Sequence, residues 1–172
     1  MDQHLLQSDF VGVVGVASKG DVEDAPIPEV RVDLEVIESW YTRWADAQTL
    51  SFTIRAGTAE LLEGHRYVVL MAGGPYWGTP FTHRNNSIFE IQDDERIRCA
   101  SGLPLFGVLS NGFLCTAREL VIGDVVDLPT MRQQFIEARR RAAERRPDIV
   151  ESRARESRAL VDHFDPNAGG LR

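Results

Sequence analysis

LLEGHRYVVLMAGG, the sequence of residues 61–74, contains the longest uninterrupted run of large apolar side chains in the chain, Tyr67 to Met71. Gly64 precedes this run, and the breaker Gly73-Gly74-Pro75 follows it. A short apolar run between such residues is typical of a strand that is buried on both faces. A strand of this kind needs a neighbouring strand on each side, so we expect it at the centre of a sheet.

Two upstream segments alternate between apolar and polar residues, which predicts half-buried strands. A further strand is predicted at 8–17, where Gly12 and Gly15 suggest bending or a close approach of two backbones. The residues of the alternating segments that we expect to face the core are Val30, Val32, Leu34, Val36, Leu50, Phe52 and Ile54.

Short apolar segments separated by turn sequences follow the central strand. Segments 88–91 and 96–100 flank an acidic turn, and segments 105–109 and 113–116 flank Ser-Asn-Gly, which is a strong hairpin signal. The stretch 73–86 is rich in glycine, proline and aromatic residues, which predicts a loop. We therefore expect a mainly β fold, in which residues 8–127 form a curved, mostly antiparallel sheet that closes toward a barrel.

The chain changes to helical spacing after Pro129. Thr130 and Gln133 fit a capping box, and the side of the helix that carries Phe135 and Ile136 is expected to dock on the sheet. Pro147-Asp148 is predicted to break or kink this helix and to cap a second one. We divide the chain into a β-barrel domain, residues 1–127, and a C-terminal α-helical extension, residues 128–172.

The second helical segment has only a thin apolar stripe. We expect it to be mobile or engaged by a partner, and dispensable for the folding of the barrel. Its Arg153, Arg155 and Arg158 are expected to face solvent or an acidic surface, such as that of a second copy of the chain. The sequence thus suggests a weak homo-oligomer formed through the C-terminal helices.

Charge is distributed unevenly along the chain. The net charge is -7. Residues 1–127 contain 9 basic and 19 acidic residues, a net charge of -10, whereas residues 128–172 contain 10 and 7, a net charge of +3. A nucleic-acid-binding protein needs a basic face, so the acidic body argues against this class. No segment approaches the ~20 apolar residues of a membrane span, and no signal peptide is visible.

The order of these strands resembles that of the bacterial relatives of netrin-like and tissue-inhibitor-of-metalloproteinase-like domains. The matching sequences are DFVGVVGV at 9–16, VRVDLEVIE at 30–38 and, above all, EGHRYVVL at 63–70. The resemblance covers residues 8–116. It implies a small OB-like antiparallel β-barrel that is used for binding, usually outside the cytoplasm.

The sequence departs from this family at its first residues. The metalloproteinase inhibitors place a cysteine at the mature N-terminus to chelate the protease zinc, whereas this chain has no cysteine before Cys99. Inhibition of metalloproteases is therefore not implied. The compartment stays open: the resemblance points outside the cytoplasm, and a complete chain without a leader would be cytoplasmic.

The stretch 74–86 is the strongest candidate for a binding site. It combines large rigid rings with hydrogen-bonding groups, a mixture favoured at interface hot spots. The alternative is that Trp77 and Phe81 close one end of the barrel. Trp40, Tyr41 and Trp44 form a second aromatic cluster with the same two interpretations. The predicted binding residues are Tyr76, Trp77, Phe81, His83, Arg84 and Asn85.

No catalytic or metal-binding pattern stands out. His4, His65, His83 and His163 are scattered, without a pair at helical spacing or a cysteine at zinc spacing, and no nucleophile or phosphate-binding motif is present. We therefore predict a non-catalytic binding or protein-interaction domain without a cofactor, whose partner is a protein or a small ligand. A small hydrolase-type enzyme, or a metal-dependent protein assembled from scattered His, Asp and Cys residues, is the alternative. An OB-type nucleic-acid binder ranks third.

Cys99 and Cys115 lie on consecutive strand segments. Antiparallel neighbours can bring their Cα atoms within the ~4.4–6.8 Å that a disulfide requires. We predict that the two residues are close together and form a disulfide if the protein is exported. Two buried thiols are the alternative.

Overall fold

A computed structural model describes the backbone of residues 2–44, 48–57, 61–76, 79–85, 87–109, 112–117 and 123–163. Within these ranges, side chains are described except at 2–4, 74–76, 79–80, 82–85 and 156–163. The elements in chain order are α1 Asp2–Gln7, β1 Phe10–Asp21, β2 Glu29–Thr42, β3 Thr49–Arg55, β4 Arg66–Tyr76, β5 Thr79–Asn85, β6 Ile88–Ile91, β7 Ile97–Cys99, β8 Leu105–Leu109, β9 Gly112–Cys115, α2 Leu128–Arg145 and α3 Pro147–His163.

The main sheet has the strand order β3-β2-β1-β4-β6-β7, and β5 also pairs with β4. β8 and β9 form a separate two-stranded sheet. All of these pairs are antiparallel. The prediction of a mainly β fold with C-terminal helices is therefore confirmed, and both predicted hairpins, β6–β7 and β8–β9, are present.

Strand β4 occupies the centre of the sheet, as its apolar run predicts, with β1 on one side and β6 on the other. Residues 67–71 are all buried. Tyr67, Val69 and Met71 contribute to one hydrophobic core, and Val68 and Leu70 contribute to a second core on the opposite face. This alternation follows from the two-residue period of a strand.

The first core lies among the strands and is called the strand-side core. The seven residues of β2 and β3 that were predicted to face the core do so here: four are buried, and Val36, Leu50 and Phe52 are partly buried against it. Its buried members are Phe10, Val14, Val16, Val30, Val32, Leu34, Ile54, Leu61, Tyr67, Val69, Met71, Phe81 and Ile88.

The second core lies between the sheet and the helices and is called the helix-side core. α1 and α2 close it, so the N-terminal and C-terminal helices pack on the same face of the sheet. Its buried members are Leu5, Leu6, Val11, Val13, Val68, Leu70, Phe89, Ile91, Ile97, Cys99, Leu105, Val108, Val126, Met131, Phe135, Ala138 and Ala142.

Helix α2 begins three residues earlier than its predicted capping box. Asp127 is the N-cap, and its carboxylate accepts a hydrogen bond from the Thr130 backbone N–H. Pro129 lies in the first turn, where the missing N–H of proline costs nothing. The capping box predicted at Thr130 is therefore wrong: Asp127 is the N-cap, and aspartate is preferred over threonine at that position.

The docked face of α2 consists of Met131, Phe135, Ala138 and Ala142, which follow helical spacing. Phe135 docks as predicted, but Ile136 is 49% exposed, so its predicted docking is wrong. Successive helix residues are separated by about 100° around the axis, and Ile136 therefore turns away from the face centred on Phe135.

The stretch 73–86 is not a loop throughout. β4 continues to Tyr76 and β5 begins at Thr79, so the two strands form a hairpin. Among the described residues, no helix has the length and apolar character needed to cross a membrane.

Candidate functional site

The hairpin β4–β5 carries the predicted binding residues. Its strands pair at Met71 with Phe81 and again at Tyr76 with Thr79, with an irregular register between these two pairs. Four residues of β4 thus oppose one residue of β5 between the pairs, so the hairpin is bulged rather than a regular ladder. Bulges of this kind re-aim the side chains of a strand.

Phe81 anchors strand β5 of the hairpin in the strand-side core. Its side chain is 2% exposed, and its ring meets that of Phe52 edge-on, with centroids 5.6 Å apart. Because a ring so deeply buried contacts no external ligand, the binding role predicted for Phe81 is corrected to anchoring. The alternative that Trp77 and Phe81 close one end of the barrel stays a prediction, because Trp77 lies outside the described residues.

The other five predicted binding residues are described only in part. Trp77 lies outside the described residues. The backbones of the remaining four belong to β4 or β5, while their side chains lie outside the described part of the structure. Those four are Tyr76, His83, Arg84 and Asn85.

The base of the hairpin is held by Asp9, which directly precedes β1. The last β1–β4 pair joins Phe10 to Met71. One residue further, the Asp9 backbone N–H donates to the Met71 carbonyl at 2.7 Å, and the Asp9 carboxylate accepts from the Gly73 N–H at 2.5 Å. The side chain of Asp9 therefore continues the hydrogen-bond ladder where the backbone of β1 stops.

Two arginines bind the same carboxylate. Arg43 lies 3.2 Å and Arg153 lies 2.6 Å from Asp9 Oδ1. Arg153 also donates to the carbonyl of Gln7 at 2.9 Å, and its own carbonyl accepts from Arg43 at 2.5 Å. Since a buried charge is tolerated only when it is paired and hydrogen-bonded, these contacts explain how Asp9 remains in a nearly closed site.

This network corrects the expectation that Arg153 faces solvent or another molecule. Its side chain is 25% exposed and is bound to the body of the same chain. Ile149 also packs against the helix-side core, so the start of α3 is docked. The only trace of this network in the local sequence is an aspartate next to the buried phenylalanine of β1. No local pattern identifies the partners of this aspartate, which lie 34 and 144 residues away.

The second aromatic cluster has structural roles. Trp40 packs against Phe135 of α2 with ring centroids 6.0 Å apart, and Arg139 lies 3.5 Å above the centre of the Tyr41 ring. Trp44 stacks on Phe10 at 5.7 Å. Burial lowers the pKa of the Arg139 guanidinium from its ordinary value. The cluster joins β2 to α2 and covers the start of β1.

Cys99 and Cys115 form a disulfide, with Cα atoms 6.2 Å apart. The bond joins β7 of the main sheet to β9 of the small sheet. Both cysteines belong to the helix-side core or pack against it. The bond therefore fastens the β8–β9 hairpin to the rest of the fold.

The described histidine side chain, His65, lies next to Glu90, with Nδ1 and Oε1 2.9 Å apart. The ring also stacks on Tyr67. Within the described ranges, no three His, Cys, Asp or Glu residues are grouped closely enough to hold a metal ion. His4, His83 and His163 have side chains outside those ranges.

Neither a model of a protein family nor a curated protein matches this sequence.

Proposed function

We propose that this chain is a non-catalytic binding or protein-interaction domain that contacts its ligand through the stretch 74–86. The observation that carries the proposal is that both strands of this hairpin are fixed to the body of the protein. Phe81 anchors one strand of the hairpin in the core, and Asp9 holds the other strand at Gly73. Functional groups are commonly carried on connections that a rigid scaffold positions.

The composition of the hairpin suggests the class of ligand. Tyr76 and Trp77 provide large rings with few rotatable bonds, and His83, Arg84 and Asn85 provide hydrogen-bonding groups. Aromatic residues and arginine dominate the binding energy of protein interfaces. A protein surface, or a small ligand with a flat apolar part and polar edges, fits this combination.

We further propose that strands β1 to β5 form the OB-like barrel of a netrin-like domain. Among these five strands the order of neighbours is β3-β2-β1-β4-β5, and the contact between Phe52 and Phe81 brings β5 toward β3. A five-stranded, partly open barrel has this sequence of neighbours. Nuclear Overhauser effects between backbone amides of β3 and β5 would support closure, and their absence would leave an open sheet.

The binding role is tested by comparing the wild-type chain with the Trp77→Ala variant. Each protein is immobilised and exposed to extracts of its source, retained proteins and small molecules are identified, and the affinity of each purified candidate is measured. We expect a genuine partner to lose at least about 30-fold in affinity for Trp77→Ala, since a hot-spot residue contributes about 2 kcal/mol or more.

Ile27→Ala is the matched control. Ile27 is an exposed apolar residue in the connection between β1 and β2, away from the hairpin, and its truncation removes a similar kind of surface. Its affinity for the candidate should equal that of the wild type. Equal binding by the wild type and Trp77→Ala, with both proteins folded by circular dichroism, would refute the role of the hairpin.

A further inference from the structure

The C-terminal helix α3 and the candidate binding hairpin meet at one carboxylate. On one side, Arg153 of α3 donates to Asp9 Oδ1. On the other side, the Gly73 N–H at the base of the hairpin donates to Asp9 Oδ2. Two hydrogen bonds through a single side chain thus connect α3 to β4, although Gly73 and Arg153 are far apart in sequence.

The contacts around this carboxylate are shielded from water. The side chains of Asp9, Arg43 and Arg153 are 12%, 18% and 25% exposed. Hydrogen bonds in such surroundings are stronger than at the surface, and bonds that share a group strengthen one another. The orientation of the Asp9 carboxylate therefore depends on both arginines, and the Gly73 bond depends on that orientation.

There is little free space beside Gly73. A Cβ atom at this position would lie 3.0 Å from Asp9 Oδ2 and 3.3 Å from the indole nitrogen of Trp44. The backbone of β4 is thus held closely against Asp9 at the point where the hairpin leaves the core. A rotation of the carboxylate displaces the acceptor of the Gly73 N–H.

We infer that docking of α3 controls the position of the β4–β5 hairpin through Asp9. Release of Arg153 removes one of the two cations that orient the carboxylate, and it thereby loosens the hairpin at Gly73. Coupling between two sites is reciprocal, so a ligand that binds the fixed hairpin also strengthens docking of α3. This regulation rests on the proposed binding role of the hairpin.

Hydrogen exchange of the full chain tests the coupling without any ligand. In Arg153→Gln, the exchange rate of the Gly73 amide and of the neighbouring β4 and β5 amides should rise at least about fivefold, the lower end of typical couplings between sites. The central amides of Val68 and Leu70 should keep their wild-type rates and thereby show that the fold is intact.

Arg155→Gln is the matched control. Arg155 lies two residues further along α3, is exposed, and donates to the Glu151 carbonyl within its own helix. It should leave the exchange of Gly73 unchanged. If Arg153→Gln also loses protection at Val68 and Leu70, the comparison is made with Arg153→Lys, which retains the charge but replaces the planar guanidinium that contacts Asp9 and Gln7.

Unchanged exchange at Gly73 in a folded Arg153 variant overturns the inference. Because this measurement uses no ligand, that result leaves the Trp77→Ala binding test unaffected. A hairpin that binds no partner refutes the proposed function and leaves the measured coupling in place.

Discussion

Asp33 connects three strands through side-chain hydrogen bonds. Its carboxylate on β2 accepts from Ser51 of β3 at 2.6 Å and from Ser18 of β1 at 2.7 Å. The bond from Ser51, followed by that from Ser18, holds the pKa of Asp33 below its ordinary value. The ionised form is therefore favoured in the folded protein relative to the unfolded chain.

We expect Asp33→Asn to lower the melting temperature at neutral pH and to have little effect in strong acid. A carboxyl group with a lowered folded-state pKa stabilises the fold above its unfolded pKa, and this contribution disappears as the pH falls through the folded pKa. Melting curves of both proteins from pH 7 to pH 2 check this. Asp93→Asn, in the exposed β6–β7 turn, controls for the lost charge, and a constant difference at all pH values would contradict the prediction.

Gly12 is required by the close approach of β1 and β2. A Cβ atom there would lie 2.2 Å from the carbonyl oxygen of Glu38 and 2.9 Å from the Phe10 ring. Gly12→Ala should lower the free energy of unfolding by about 3 kcal/mol, the upper range for overpacking. Gly20→Ala in the same strand is the control, since a Cβ atom there meets nothing within 4 Å. Urea denaturation that shows equal stability for both variants would contradict this explanation.

At the scale of elements, the disulfide cross-links the main sheet to the small sheet. The bonded cysteines are 16 residues apart. Closing a loop of this size stabilises a protein by about 3 kcal/mol in the chain-entropy model. We expect the double variant Cys99→Ser/Cys115→Ser to lose about this amount in urea denaturation under oxidising conditions. Under reducing conditions the wild type should fall to the stability of the variant; a wild type that keeps its advantage would rule out the bond as the cause.

The elements that the sequence predicts best are those with a repeating local pattern. The alternation of β2 and β3 and the apolar run of β4 identify both the strands and their buried faces, because burial on one or two faces leaves a direct trace in residue order. The hairpin β4–β5 was predicted as a loop since its glycines and prolines weaken the strand signal. The start of α2 was misplaced because two capping residues, Asp127 and Thr130, lie three positions apart.

The candidate site was predictable only in part. Its aromatic residues stand out in composition, but the burial of Phe81 depends on Phe52, a residue of another strand. The docking of Arg153 depends on Asp9 at the opposite end of the chain. A single ion pair leaves no repeating pattern in the sequence, so it could not be predicted. The thin apolar stripe of α3 instead suggested a segment that is mobile or bound by a partner.

At the scale of the whole molecule, oppositely charged parts of the chain contact each other. The acidic body of residues 1–127 and the basic residues 128–172 partly neutralise each other within one chain, as Asp9 with Arg153 and Glu38 with Arg132 show. A weak homo-oligomer through the C-terminal helices stays a prediction. Disulfides rarely persist in the cytosol, and the compartment of this protein stays a prediction.

The joint closure of the helix-side core by α1 and α2 has a consequence for synthesis on the ribosome. The strand-side core is complete once Ile88 has been made, but Leu5 and Leu6 wait for Met131 through Ala142. Ala142 lies 54 residues after Ile88, and at about 5–20 residues per second this delay lasts roughly 3–11 s. During that interval one face of the nascent sheet is apolar and uncovered, and it is the surface on which a chaperone would act.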